Sequence, residues 1–192
     1  MIINLYVIII MAFNQQDTEC MALALKLSKL GRGSVGANPM VGCVITRDDN
    51  IIAQDYHRQY GESHAEVNAL DQINHKAHDC NVYVTLEPCS HQGKTPPCVN
   101  ALINANVSKV FVATLDSNPE VSGSGVRLLR DSGIEVEVGL LENAAIEVNR
   151  GFFKRMKTGL PFVTSKIAMS LDGRVAMKNG QSKWITSDAS RN

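Results

Sequence analysis

Apolar and polar positions along the chain alternate between two periods, and each switch marks a change of element. Met21, Leu23, Ala24, Leu25, Leu27 and Leu30 recur at helical spacing. Asp17-Thr18-Glu19 supplies a plausible start for that helix, and Gly31 and Gly33 end it. Met40 to Thr46 is rich in strand formers, Asp48-Asp49-Asn50 reads as a turn, and Ile51 to Ala53 as the returning strand of a hairpin. A second helix is predicted from Ser63 or His64 through Val67, Leu70 and Ile73. Val82 to Leu86 is a short apolar strand closed by Pro88, and Pro97 to Ala105 a helix with proline in its first turn. A strand over Val107 to Thr114, a helix over Gly125 to Ser132, a strand over Ile134 to Val138 and one helix over Glu142 to Phe153 complete the series.

A hairpin followed by alternating strands and helices predicts an α/β layered domain with a mixed sheet, over residues 14–157. Residues 1–13 are almost wholly apolar, yet too few to span a bilayer, which takes roughly 20 residues. They lack the positive leading segment and cleavage site of a secretory signal, so they are expected to be an extension outside the fold. From Thr158-Gly159-Leu160-Pro161 the pattern changes. Phe162 to Met169 reads as a new strand, followed by Ser170 to Arg174 and then Ser182 to Ser187, with no further elements to bury that strand. Residues 158–192 are therefore expected to open a second, truncated domain.

Charge narrows the choice of partner. The chain carries 19 basic and 19 acidic residues among 192, with no basic stripe, which favours a small-molecule substrate over nucleic acid. Nothing in it predicts a membrane partner, and a homo-oligomer stays open. Five scattered cysteines make a poor disulfide framework and point to a reducing, cytoplasmic compartment.

The chemistry concentrates in His64-Ala65-Glu66, Pro88-Cys89 and Cys98. One imidazole and two thiolates provide three ligands for Zn2+, the number that leaves a catalytic zinc open to water. A carboxylate two residues beyond the histidine can then move protons without binding the metal. This is the arrangement of zinc deaminases, with Glu66 as the proton carrier. Here eight residues separate the two cysteines, where that arrangement usually has two.

Thr85-Leu86-Glu87-Pro88-Cys89-Ser90-His91-Gln92-Gly93-Lys94-Thr95-Pro96-Pro97-Cys98 resembles the signature of the bacterial bifunctional riboflavin-biosynthesis deaminase/reductases. Asn38-Pro39-Met40-Val41-Gly42, Tyr60 to Glu66 and Asp116-Ser117-Asn118-Pro119 are similar to that family too, and the likeness runs from Asp17 to Asn192. The resemblance implies a cytidine-deaminase-like α/β/α domain. It also implies hydrolytic deamination of 2,5-diamino-6-(5-phosphoribosylamino)pyrimidin-4(3H)-one, a pyrimidine ribonucleotide. It places Asn38, His57, His91 and Lys94 against substrate, with Asp116 and Asn118 shaping the pocket. The stretch after Pro161 resembles the start of a reductase domain that uses NADPH, where Ala168, Ser182 and Trp184 match cofactor or substrate positions. Reduction is not expected from so short a piece of that domain.

Overall fold

In the computed structural model, described residues are 13–118, 121–183, 187 and 189. Most of the apolar extension, Pro119 and Trp184 to Thr186 lie outside them. The chain divides after Pro161 into two units.

In the first unit, the helix α1 spans Gln15–Ser28 and starts earlier than its apolar face suggests, because Asn14 caps it. The Asn14 side chain accepts from the Asp17 N–H at 2.8 Å, and the Asp17 carboxylate accepts from the Asn14 N–H at 3.0 Å. Such a reciprocal pair satisfies two of the main-chain donors that a helix start leaves open. The hairpin is β1 (Gly42–Arg47) and β2 (Asn50–Tyr56), joined through Asp48 and Asp49 with φ of 48° and 64°. Then follow α2 (Ala65–Gln72), β3 (Asn81–Val84), α3 (Cys98–Asn104), β4 (Lys109–Val112), α4 (Ser124–Asp131) and β5 (Glu135–Val138).

The five strands lie in the order β2-β1-β3-β4-β5. β1 is antiparallel to both neighbours, whereas β3, β4 and β5 are parallel, with Val82, Val110 and Val136 in register. The sheet is thus mixed, as the element order predicts. Alternation along each strand separates two cores. Cys43, Ile45, Val82, Val84, Val110 and Val112 face α2, α3 and α4 through Leu70, Leu102 and Leu129. Val44, Tyr83, Phe111 and Ala113 face the other way, onto Met21, Ala24 and Leu25 of α1. Tyr83 and Phe111 stack there with ring centroids 4.7 Å apart. The α1 backbone lies so close to β1 that a Cβ on Gly42 would come 2.0 Å from the Ala24 carbonyl oxygen, so only glycine fits.

Two expectations are corrected. The helix predicted over Glu142 to Phe153 is two helices, α5 (Glu142–Val148) and α6 (Arg150–Thr158), broken at Asn149. Asn149 is buried, and its side-chain amide meets both main-chain groups of Met40 at 2.8 Å. That pairing takes the asparagine out of helical geometry and ties the helix junction to the segment before β1. In the second unit, Phe162 to Met169 forms no strand. A strand needs a ladder partner for its N–H and C=O groups, and the described residues provide none there. This unit contains two tight turns, closed by Ser170 N–H to the Arg174 carbonyl at 2.9 Å and Met177 N–H to the Gln181 carbonyl at 2.8 Å. Ala168 and Ser182 are exposed within it.

Candidate metal centre and active site

Three element ends converge on one point: the N-termini of α2 and α3 and the loop leaving β3. His64 is the N-cap of α2, with extended backbone (φ −76°, ψ 169°) and no capping bond from its side chain. Standing outside the helix, its ring is free of the helical wheel, so His64 and Glu66 can reach one place although i and i+2 diverge within a helix. Cys98 is the first residue of α3, and Cys89 follows Pro88 at the exit of β3. The α3 start holds that loop: Cys98 N–H approaches Cys89 Sγ at 3.3 Å, and Val99 N–H donates to the Cys89 carbonyl at 3.2 Å.

His64 Nδ1 lies 3.1 Å from Cys98 Sγ and 3.5 Å from Cys89 Sγ. The three ligand atoms fall within 4.8 Å of one another. A tetrahedral zinc with bonds of ~2.3 Å to sulfur and ~2.0 Å to nitrogen needs N···S spans of ~3.6 Å, so a shift of ~0.5 Å or less satisfies both. The donor set, two sulfurs and one imidazole, suits zinc as well. Within this cluster, hydrogen bonds from the Cys98 thiol and the His64 ring hold the Cys89 thiol well below its ordinary range, overcoming burial. Cys98 is pushed up by that hydrogen bond and by burial.

Glu66 lies in the first turn of α2, only 3% exposed, and its Oε2 has no hydrogen-bond partner among the described residues. Burial pushes its carboxyl up to about 7, opposed by the neighbouring His64. A buried carboxylate oxygen left unpaired is costly, and here it lines the same cleft as His64 and Cys89. The group is placed to hold or release a proton beside the cluster.

The cleft, about 370 Å³, brings together Asn38, His57, His91, Lys94, Asp116 and Asn118 with His64, Glu66 and Cys89. His57 is itself buried, with Nδ1 3.1 Å from the Ser63 carbonyl and Nε2 3.3 Å from the Asn38 amide. Burial lowers its pKa. The neutral ring with the proton on Nδ1 donates to Ser63 and accepts from Asn38, fixing the residue that precedes His64. Lys94 is exposed, with Nζ 4.2 Å from the centre of the Tyr60 ring. Burial and nearby Glu87 raise the Asp116 carboxyl, against the Asn118 N–H bond and His91. Ala168 and Ser182 belong to the other unit, and Trp184 lies outside the described residues.

The sequence reading assigns no role to several other residues in this cleft. Tyr60, Glu87, Phe152 and Arg155 also line it. Arg155 donates to the Ala37 carbonyl at 2.9 Å, so α6 reaches across 118 residues to brace the loop carrying Asn38. Nothing in local periodicity carries a signal for a contact at that separation.

Residues 14–114 match the family described as the cytidine and deoxycytidylate deaminase zinc-binding region. The chain belongs to that deaminase family. Residues 161–192 match the RibD C-terminal domain. The riboflavin biosynthesis protein RibD of Escherichia coli (strain K12) is 50% identical over 176 residues, covering 92% of this chain and 48% of that protein. The chain thus spans about half the length of that relative. A diaminohydroxyphosphoribosylamino-pyrimidine deaminase of Buchnera aphidicola subsp. Schizaphis graminum is 49% identical, over 76% of this chain and 99% of its own. The solved structure of Acinetobacter baumannii RibD, form 1, is 52% identical with a TM-score of 0.86, covering 92% of this chain and 49% of that one. The likeness to this deaminase family covers the elements that carry His64, Glu66, Cys89 and Cys98. No helix among the described residues is long and apolar enough to cross a membrane.

Proposed function

We propose that the chain hydrolyses the amino group from 2,5-diamino-6-(5-phosphoribosylamino)pyrimidin-4(3H)-one, giving 5-amino-6-(5-phosphoribosylamino)uracil and ammonia in the cytoplasm. The observation that carries this reading is the buried, unpartnered Oε2 of Glu66 lining one cleft with His64 and Cys89. A purely structural metal site has no use for such an oxygen.

His64, Cys89 and Cys98 would hold Zn2+ through Nδ1 and two sulfurs. Zinc bound there supplies the Lewis acidity that makes water nucleophilic near neutral pH. Glu66 takes one proton from water and passes it to the ring nitrogen, then takes the second from the hydroxyl that the ring carbon has gained and passes it to the departing amine. Overall, water and the C–NH2 group become a carbonyl and ammonia, with no redox change. Asn38, braced by His57, orients the pyrimidine edge. Lys94 and His91 give the ribose phosphate a cationic partner, and Asp116 and Asn118 close the pocket around the ring. Ala168, Ser182 and Trp184 would face NADPH or the ribose in a complete reductase domain.

Ammonia release tests the reading, with the diaminopyrimidine ribonucleotide and cytidine compared on the zinc-loaded chain. Turnover of the ribonucleotide at least a hundredfold faster than cytidine is expected. Equal rates, or preference for cytidine, would refute the assignment.

A further inference from the structure

Glu87 leaves β3 two residues before Cys89 and is only 6% exposed. Its Oε2 accepts from the Asp116 N–H at 3.1 Å and the Gly123 N–H at 2.9 Å. Its Oε1 accepts from the Gly125 N–H at 2.8 Å and the Val126 N–H at 3.3 Å. A carboxylate has about four lone-pair sites, so the main chain takes up all of them and none remains for a ligand.

Two of the four donors open α4. Its N-cap is Gly123, which has no side chain to cap with, so Glu87 answers the open amides from another element. The approach is close: a Cβ on Gly125 would come 2.1 Å from the Pro88 carbonyl oxygen and 3.2 Å from Glu87 Cγ. The other donor pair brackets the pocket wall, since Asp116 and Gly123 meet the same oxygen. Between them, the Asn118 carbonyl accepts from Val121 and Ser122 at 3.0 and 2.9 Å. Asp116, Asn118 and Val121 all line the cleft.

We propose that Glu87 is a positioning residue: one saturated carboxylate sets the pocket wall at Asp116, Asn118 and Val121 against the turn that carries Cys89. Although it lines the cleft, it thereby governs substrate binding with no lone pair left to offer substrate or metal. The proposal rests on the deaminase reading only for its kinetic consequence.

The test is Glu87→Gln in the zinc-loaded chain. An amide presents one oxygen, so two of the four N–H groups face an NH2 and lose their acceptor. Hydrogen exchange should speed at least tenfold at Asp116, Gly123, Gly125 or Val126, with β1 and β3 unchanged and zinc content intact. KM for the diaminopyrimidine ribonucleotide should rise at least tenfold, with kcat within about threefold. Glu87→Asp, which keeps the charge but lacks one methylene, should fall between Gln and wild type. Unchanged exchange at those amides, uniform acceleration across β1 to β4, or an unchanged KM would overturn the proposal. Failure of both variants to fold would do so as well, reducing Glu87 to a stability role. If wild-type chain does not deaminate the ribonucleotide, the functional reading fails while the exchange pattern still decides the clamp.

Discussion

Glu66→Gln separates proton transfer from every other property of the site. The two side chains are nearly isosteric, and the carboxylate is not among the three clustered ligand atoms. Zinc content should therefore stay at the wild-type value. What disappears is a group that can accept a proton and give it back. A positioned acid–base residue contributes about 10²–10⁴ in rate, which is ~3–5 kcal/mol at ~1.4 kcal/mol per decade. In the proposed reaction Glu66 serves two transfers in one turnover, so the loss in kcat should lie at the upper end of that range. Stability should move the other way. Burial leaves the carboxylate 3% exposed with one oxygen unpaired, and a neutral amide escapes the cost of desolvating a charge. The variant should melt no lower than wild type. Coupled assay of ammonia release, metal content by mass spectrometry and a thermal melt on one preparation check all three. Turnover within threefold of wild type would refute the proton-carrier role, and loss of zinc together with activity would refute the separation.

Cys98→Ser should release the metal, because a hydroxyl is a far weaker zinc ligand than a thiolate; metal content after dialysis checks this, and retained stoichiometric zinc would count against the ligand set. Gly42→Ala places a methyl 2.0 Å from the Ala24 carbonyl oxygen and should cost at least about 2 kcal/mol, since backbone rather than a flexible side chain must yield; urea unfolding reads the shift. Asp55 is desolvated, yet hydrogen bonds from Arg58, the Tyr56 N–H and Gln72 leave its carboxyl below the ordinary value. A lowered folded-state pKa means stabilisation present above the unfolded carboxyl range and lost as pH falls through the folded value. The stability gap between wild type and Asp55→Asn, measured by unfolding from pH 7 downward, should therefore narrow below about pH 4.

Local pattern went far toward the fold because sheet and helix periods are properties of neighbouring residues. Val82 to Leu86 reads as a strand from five consecutive residues, and β3 occupies most of that run. The clustering of His64, Cys89 and Cys98 was legible for a related reason. His, Cys and Cys have few competing uses in such spacing, and the helix start at His64 follows from the apolar residues behind it. Boundaries were less legible. The Glu142 to Phe153 pattern is helical throughout, yet it breaks where Asn149 meets Met40, 109 residues earlier. Phe162 to Met169 has strand composition, but a strand also needs a neighbour to pair with.

Chain order and residue chemistry were therefore enough for the alternation of elements and for singling out the three side chains that cluster, His64, Cys89 and Cys98, with the carboxylate of Glu66 in the same region. They were silent on His57 bracing Asn38, on α6 reaching the Asn38 loop through Arg155, and on Glu87 gathering four distant amides. Those are contacts between residues far apart in the chain. Hydrogen bonds of this kind leave no periodic trace, and they exist only once the sheet has brought the ends of β3, α2 and α4 to one side.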